Sequence, residues 1–408
     1  MPAQPSTQGT HVPIPPLAIR HYTATTALGP GRDALLAGLR ERRGGLRRND
    51  FGNDRLDCWI GRVDGLEDAA LPLEFSDAEC RNNRLAWLAL QQDGMFGAVQ
   101  AAKAKYGASR IAVVLGTSTS SIGATEEAYA RLEPGDDGQP AFPRDLRQPM
   151  VHTPHSLGAF VQRATGLTGP CVTVATACSS SAKVFAQAAR LIHAGLADAA
   201  LVGGVDTLCG SVLFGFNALG LVSQAPCKPF DATRDGLSLG EAGGYALLER
   251  AGDDDALTLR GYGESSDAHH MSAPHPEGLG ARLAMSQALA RAGIDAADVG
   301  YLNLHGTATP ANDTVEAQAV ARLFPDTLHA SSTKGWTGHT LGAAGIVESV
   351  IAMLALQHGL LPGILNSAER DAACGAQIRF DNAERPIRYA MNNSFGFGGN
   401  NCSLVFAA

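Results

Sequence analysis

TVATACSSSAKVFAQAARLIHAG (residues 173–195) and SSTKGWTGHTLGAAGIVESVIAMLALQHG (residues 331–359) decide how this chain folds. Each passes from a short β-prone run through a Ser/Thr/Gly turn into a small-residue helix that closes on His and Gly. Helices are expected over Ser179–His193 and from about Leu341 to Gln357. Both are apolar almost all round, the pattern of a helix packed on every side rather than on one face. Two such units in one chain predict an internal duplication, with helices sandwiched between two sheets.

The flanking sequence fits α/β layers. Arg110–Gly116 (RIAVVLG), Cys171–Ala177 (CVTVATA) and Ala199–Val205 (AALVGGV) read as strands. In the second half Gly300–His305, His329–Thr333 and Asn401–Phe406 read the same way, with a helix over Asp313–Phe324. Strand-like and helical runs alternate throughout. Glu133–Asp145, rich in Gly, Asp and Pro, reads as a surface loop. The expected division is a flexible tail over 1–17, a first half over 18–256 and a second over 257–408. The tail is Pro-rich and lacks the basic start and apolar middle of a secretion signal.

Of the 408 residues 45% are hydrophobic and 18% charged, and the formal net charge is -8. That balance argues against general affinity for nucleic acid or anionic membranes. Arg40, Arg42, Arg43, Arg47 and Arg48 form a local basic cluster, read as a solvated helix end and loop or as an anion-docking patch. No apolar run suggests a membrane span. The eight cysteines show no CxxC spacing, so neither a disulfide framework nor a structural zinc site is expected, and a reducing cytosol fits.

Cys178 sits where a β-rich run meets a helix, so the helix dipole and free N–H groups favour its thiolate. A buried Cys acting as a small hydrophobe is the competing reading. His305 ends an apolar strand and opens a Gly/Thr turn; His339 precedes the second buried helix and shares a glycine-bearing turn with Lys334. Glu348 lies in that apolar helix, where an acid is costly unless paired, so a polar partner is expected. A cysteine and two histidines at such junctions supply the parts for acyl transfer and carbanion chemistry. The glycine-rich turn Asn393–Asn401 offers backbone amides for an oxyanion hole and lets Phe397 move. Other histidines (His152 with His155, and His269, His270 and His275) show no regular metal-ligand spacing, and no metal is expected.

These motifs together resemble the β-ketoacyl-carrier-protein synthases of types I and II. The matching stretches are ATACSSS at Cys178, NLHGTATPAND at His305, SSTKGWTGHTLGAAG around Lys334 and His339, and NSFGFGGNN near the end. PFDATRDGLSLGEAGGYALLE (229–249) and SSDAHHM (265–271) match too, so the resemblance spans roughly residues 110–408. It implies a thiolase-like duplicated fold, five-layered α-β-α-β-α, and a homodimer or a heterodimer with a related synthase. It implies that Cys178 carries the acyl chain from an acyl carrier protein while His305 and His339 stabilise the enolate left when malonyl loses CO₂. Lys334 and Glu348 would organise that site, and the amides of Cys178 and Phe397 would form the oxyanion hole. Ser272, Thr307 and Thr309 would line the pantetheine tunnel, and Arg81 and Arg84 would touch the acidic carrier. No cofactor is implied beyond the phosphopantetheine arm that arrives with the substrate.

The chain departs from the family's usual pattern at Leu17–Gly31, a looser match, and at Trp336, where Met is commoner. The latter bears on the shape of the acyl pocket. The unusual start resembles synthases of aryl-polyene-like pigment clusters, with ordinary fatty-acid elongation the alternative. Three rival readings remain. A thiolase acting on CoA thioesters would need a second acid/base cysteine, for which Cys402 is poorly placed. A type III starter synthase would pair its cysteine with one His and one Asn. A non-catalytic chain-length factor would lack the nucleophile, which is present here.

Overall fold

The structure, a computed structural model, describes residues 13–53, 55–252 and 255–408. Most of the expected tail, residues 1–12, lies outside the described residues, and Leu17 already belongs to the first strand. Ten strands make one sheet: β1 (Leu17–Thr25), β2 (Ile111–Gly116), β3 (Cys171–Val174), β4 (Ala199–Asp206), β5 (Ala242–Arg250), β6 (Thr258–Ser266), β7 (Val299–Asn303), β8 (His329–Ser331), β9 (Tyr389–Gly396) and β10 (Asn400–Ala407). Their order is β3-β2-β4-β5-β1-β6-β10-β9-β7-β8.

Read outward in, each half has its third, second, fourth, fifth and first strand in that order. The directions match as well. β2 is parallel to β3 and β4, while β5 is antiparallel to β4 and β1. In the second half β7 is parallel to β8 and β9, while β10 is antiparallel to β9 and β6. Within the sheet the halves meet where Leu17 faces Leu259 and Ala18 faces Thr258. The duplication expected from the two helical units is therefore a duplication of topology.

Six helices matter for the site: α1 (Arg81–Leu90), α2 (Ser180–His193), α3 (Leu279–Ala292), α4 (Pro310–Leu323), α5 (Lys334–Thr337) and α6 (Ala344–His358). α2 and α6 follow the third strand of their halves and pack on each other and on strands of both halves. Val184, Phe185, Ile346 and Val350 fill the central core between the two halves of the sheet. α1 covers the first half from outside, over Leu85, Val113 and Leu201; α3 and α4 cover the second, over Met285, Val320 and Leu302. The result is the five-layered thiolase-like arrangement. Leu341–His358 is long and apolar enough to cross a membrane, contrary to the reading of the sequence, but it is the buried core helix.

The crossing of α2 and α6 depends on glycine. A Cβ at Gly345 would stand 2.3 Å from the backbone nitrogen of Ala182, and neither helix can retreat from a packed core. Gly345→Val should therefore cost about 3 kcal/mol or more, the upper end for overpacking. The soluble yield and thermal midpoint of the variant measure it; a melt like that of the parent chain would contradict this account.

Candidate active site

All the chemistry-bearing residues gather at the carboxyl ends of parallel strands, where α/β sheets place ligands. β3 stops at Val174, three residues short of the expected strand end, because the chain turns there. Ala177 takes a left-handed φ of 51°, which L residues rarely adopt, and this aims Cys178 inward just ahead of α2. Serine hydroxyls hold the turn: Thr176 N–H donates to Ser180 Oγ at 2.9 Å, and Ser180 Oγ donates to the carbonyl of Ala177 at 2.6 Å.

His305 stands just past β7. Its backbone N–H and that of Gly306 each donate to the Glu316 carboxylate on α4 at 2.8 Å. Asn393 of β9 donates to the same carboxylate at 3.2 Å. His339 follows α5, and its backbone N–H donates to the carbonyl of Ser238 at 2.7 Å. Lys334 opens α5 and sends its ammonium to the carbonyl of His305 and to Glu348 Oε1 on α6. Glu348 thus has the partner its burial demands.

These positions bring three side chains together. Cys178 Sγ is 3.0 Å from His339 Nε2. The rings of His305 and His339 meet edge to face at 5.5 Å, and one ligand atom from each of the three residues lies within 4.8 Å of the others. Burial holds both imidazoles well below the usual histidine range, with Lys334 adding to it. Both are neutral at physiological pH. Burial also pushes the Cys178 thiol up to about 12, against the opposing pull of Lys334 and the backbone amide of Phe397. Burial thus opposes the thiolate that the helix end favours, and His339 Nε2 lies in contact with the sulfur.

A cavity of about 260 Å³ opens onto the three residues. Ser272, Thr307 and Thr309 line it, as does Phe397, whose ring stacks on Phe216 at 5.7 Å and 21°. Trp336 does not. It is fully buried in the central core with the Arg42 guanidinium 5.9 Å from its ring, so the expected influence on the acyl pocket has no direct contact behind it. Arg81 and Arg84 lie together on one surface hollow whose acids are Glu79, Glu126, Glu127 and Asp145. Arg81 grips buried Glu241 at 2.7 Å and also pairs with Glu67, and Arg84 pairs with Glu79. Both guanidiniums are paired within the fold and border that hollow. Cys402 is buried in β10 away from the cavity, where burial pushes its thiol far up.

Two acids escaped the sequence reading. Glu316 anchors His305. Asp206, at the end of β4, accepts from Thr117 Oγ1 at 2.6 Å, Ser118 N–H at 2.8 Å and Gly342 N–H at 2.6 Å, tying the first half to the start of the second central helix. The available signal was an acid directly after an all-apolar strand.

The Lys334–Glu348 pair predicts a specific coupling. Lys334→Met leaves a buried carboxylate without its cation and should cost about 3–5 kcal/mol. Lys334→Met/Glu348→Leu should recover much of that loss, because both charges leave together. Thermal melts of the parent, the two single variants and the double variant measure it; additive losses within about 0.5 kcal/mol would show the pair to be uncoupled.

Residues 74–254 match the family model of the β-ketoacyl synthase N-terminal domain, and residues 257–368 that of its C-terminal domain. The 3-oxoacyl-[acyl-carrier-protein] synthase 2 of Staphylococcus aureus is 34% identical over 315 residues, 73% of this chain and 77% of that one. The mitochondrial 3-oxoacyl-[acyl-carrier-protein] synthase of Arabidopsis thaliana is 39% identical over 270 residues, 60% of this chain and 57% of that one. Synthase 2 of Rhizobium meliloti is matched over 61% of its length, so the aligned stretch covers less than two thirds of these last two relatives. Among solved structures, the ketosynthase (ApeO) in complex with its chain length factor (ApeC) from Xenorhabdus doucetiae superposes with a TM-score of 0.86 at 36% identity, over 97% of this chain and 98% of that one. A β-ketoacyl synthase from Burkholderia phymatum gives 0.84 at 29% identity, over 97% and 99%. Two family models in order, relatives above 30% identity and the same fold end to end make the conclusion direct: this chain belongs to the β-ketoacyl synthase family.

Proposed function

We propose that this chain catalyses a decarboxylating Claisen condensation, joining an acyl group held on Cys178 to malonyl on an acyl carrier protein, with release of 3-oxoacyl carrier and CO₂. The observation that carries this reading is one buried thiol and two neutral imidazoles meeting on the wall of one cavity. In the first step Cys178 sulfur attacks the incoming thioester. Its proton leaves on the departing pantetheine sulfur, so His339 stays a neutral Nε2–H donor, while the amides of Cys178 and Phe397 receive the oxyanion. In the second step His305 and His339 donate hydrogen bonds to the malonyl thioester oxygen. The electrons of the C–CO₂ bond form an enolate, CO₂ leaves, and the enolate carbon attacks the Cys178 thioester. Neutral imidazoles suit this step, since an imidazolium would protonate the carbanion. The reading needs no metal or organic cofactor.

A dimer is part of the proposal. β3 ends the sheet as a half-buried edge, and Ile122, Tyr129, Leu132 and Met150 expose apolar side chains. ApeO's complex with a chain length factor supports a heterodimer beside the homodimer; the retained Cys178 assigns this chain the catalytic part. The looser start at Leu17–Gly31 keeps a pigment-type pathway beside ordinary fatty-acid elongation. We place the enzyme in the cytoplasm, in keeping with eight free cysteines. The deciding assay incubates purified protein with acyl- and malonyl-carrier protein and follows CO₂ release and the intact mass of the chain. An acyl adduct on Cys178 with CO₂ formation is expected; absence of both would overturn the reading.

A further inference from the structure

We propose that Cys178, His305 and His339 also form a binding site for a soft divalent cation, zinc foremost, which inhibits the enzyme by occupying the nucleophile and both imidazoles at once. Among the described residues this is the one group of three cysteine, histidine or acidic side chains whose ligand atoms converge closely enough to hold an ion. One thiolate and two imidazoles are a donor set that zinc favours and that magnesium and calcium do not. Ligand atoms around a tetrahedral zinc lie about 3.3–3.7 Å apart. The group already spans 3.0 Å between Cys178 Sγ and His339 Nε2, with all three atoms inside 4.8 Å, so small ring movements complete the set. All three residues line the cavity, which leaves room for water as a fourth ligand.

The charges balance. Binding forms a sulfur–metal bond and two nitrogen–metal bonds, sends the thiol proton to solvent and changes no oxidation state. The bare site contains the Lys334 ammonium and the Glu348 and Glu316 carboxyls. Burial raises both acids to about 7; adding a dication and losing the thiol proton adds one positive charge, which favours their ionised forms.

The surroundings mark the ion as an inhibitor rather than a resident. A resident site orients each histidine through an acceptor on its other ring nitrogen. Here Nδ1 of both His305 and His339 is buried with no partner. Zinc and the acyl group also exclude each other, since an acylated Cys178 has no thiolate to offer. Zinc should therefore raise the KM for the acyl donor and leave kcat at saturating donor unchanged.

The test titrates ZnCl₂ into the whole protein against a chromophoric zinc chelator and measures iodoacetamide alkylation of Cys178 in parallel. One tight zinc per chain and blocked alkylation are expected, with magnesium inert. Cys178→Ser and His339→Ala, checked for folding by their melts, should each weaken binding beyond the about 10- to 100-fold typical for loss of an outer-shell partner. His269→Ala/His275→Ala should change nothing, although those exposed rings lie only 5.2 Å apart. Unchanged affinity in folded Cys178→Ser or His339→Ala, undiminished alkylation with zinc bound, or loss of binding in the His269/His275 variant would each overturn the proposal. Neither readout needs a carrier-bound substrate, so failure of the condensation reading and failure of this one are told apart.

Discussion

Cys178→Gln should lose condensation by about 10⁴- to 10⁶-fold, the scale seen when a covalent nucleophile is removed, while malonyl decarboxylation persists. The two activities separate because they use different atoms. Condensation needs sulfur to hold the acyl group and to leave again. Decarboxylation needs only hydrogen bonds to the malonyl thioester oxygen, and those come from His305 and His339. Glutamine fits the argument because its amide resembles a thioester in shape and presents a carbonyl toward the amides of Cys178 and Phe397. It therefore mimics the acylated enzyme without being able to react. The substitution also removes the 3.0 Å contact between sulfur and His339 Nε2, freeing that nitrogen for the malonyl oxygen. CO₂ release from malonyl-carrier protein, followed beside formation of 3-oxoacyl product, gives both rates. Loss of both in a variant that melts like the parent chain would contradict the division of labour.

What the sequence disclosed and what it hid follow one physical line. Strand, turn and helix around Cys178 were legible because periodicity and small residues are local properties. The duplication was legible because both units run strand, turn and small-residue helix. Only the second helix is apolar on all sides, since the first keeps a polar face at Lys183, Gln187 and Arg190. The strand before Cys178 was read too long, since serine hydroxyls and the left-handed Ala177 end it, and neither changes the apolar pattern. The pairing of Arg81 with Glu241 was hidden because the two lie 160 residues apart. Asp206 and Glu316 looked like ordinary polar positions until the fold buried them beneath converging N–H donors. The burial that opposes ionisation of Cys178 was hidden for the same reason: the helix end is visible in sequence, but the burial is tertiary.

His305→Ala should slow malonyl decarboxylation by about 10²–10³-fold, the usual result of removing one donor from a charge-stabilising pair. Acylation of Cys178 should stay within a few-fold of the parent rate, because the imidazole that meets the sulfur belongs to His339. The fold should tolerate the change. Glu316 holds the backbone of residues 305 and 306, not the ring, and Lys334 likewise contacts the His305 carbonyl. Nδ1 of His305 has no partner to leave stranded. The cost is thus confined to the enolate, and it should appear equally in decarboxylation and in overall condensation. Intact-mass measurement of acyl-enzyme formation, paired with CO₂ release, separates the two steps. Normal decarboxylation in the variant would mean that one imidazole suffices and that His305 acts only as packing against Phe395. With Cys178→Gln retaining what His305→Ala loses, the pair of variants assigns one substrate to the thiol and the other to the imidazoles. That assignment requires both results, since either alone would also follow from general damage to a shared cavity.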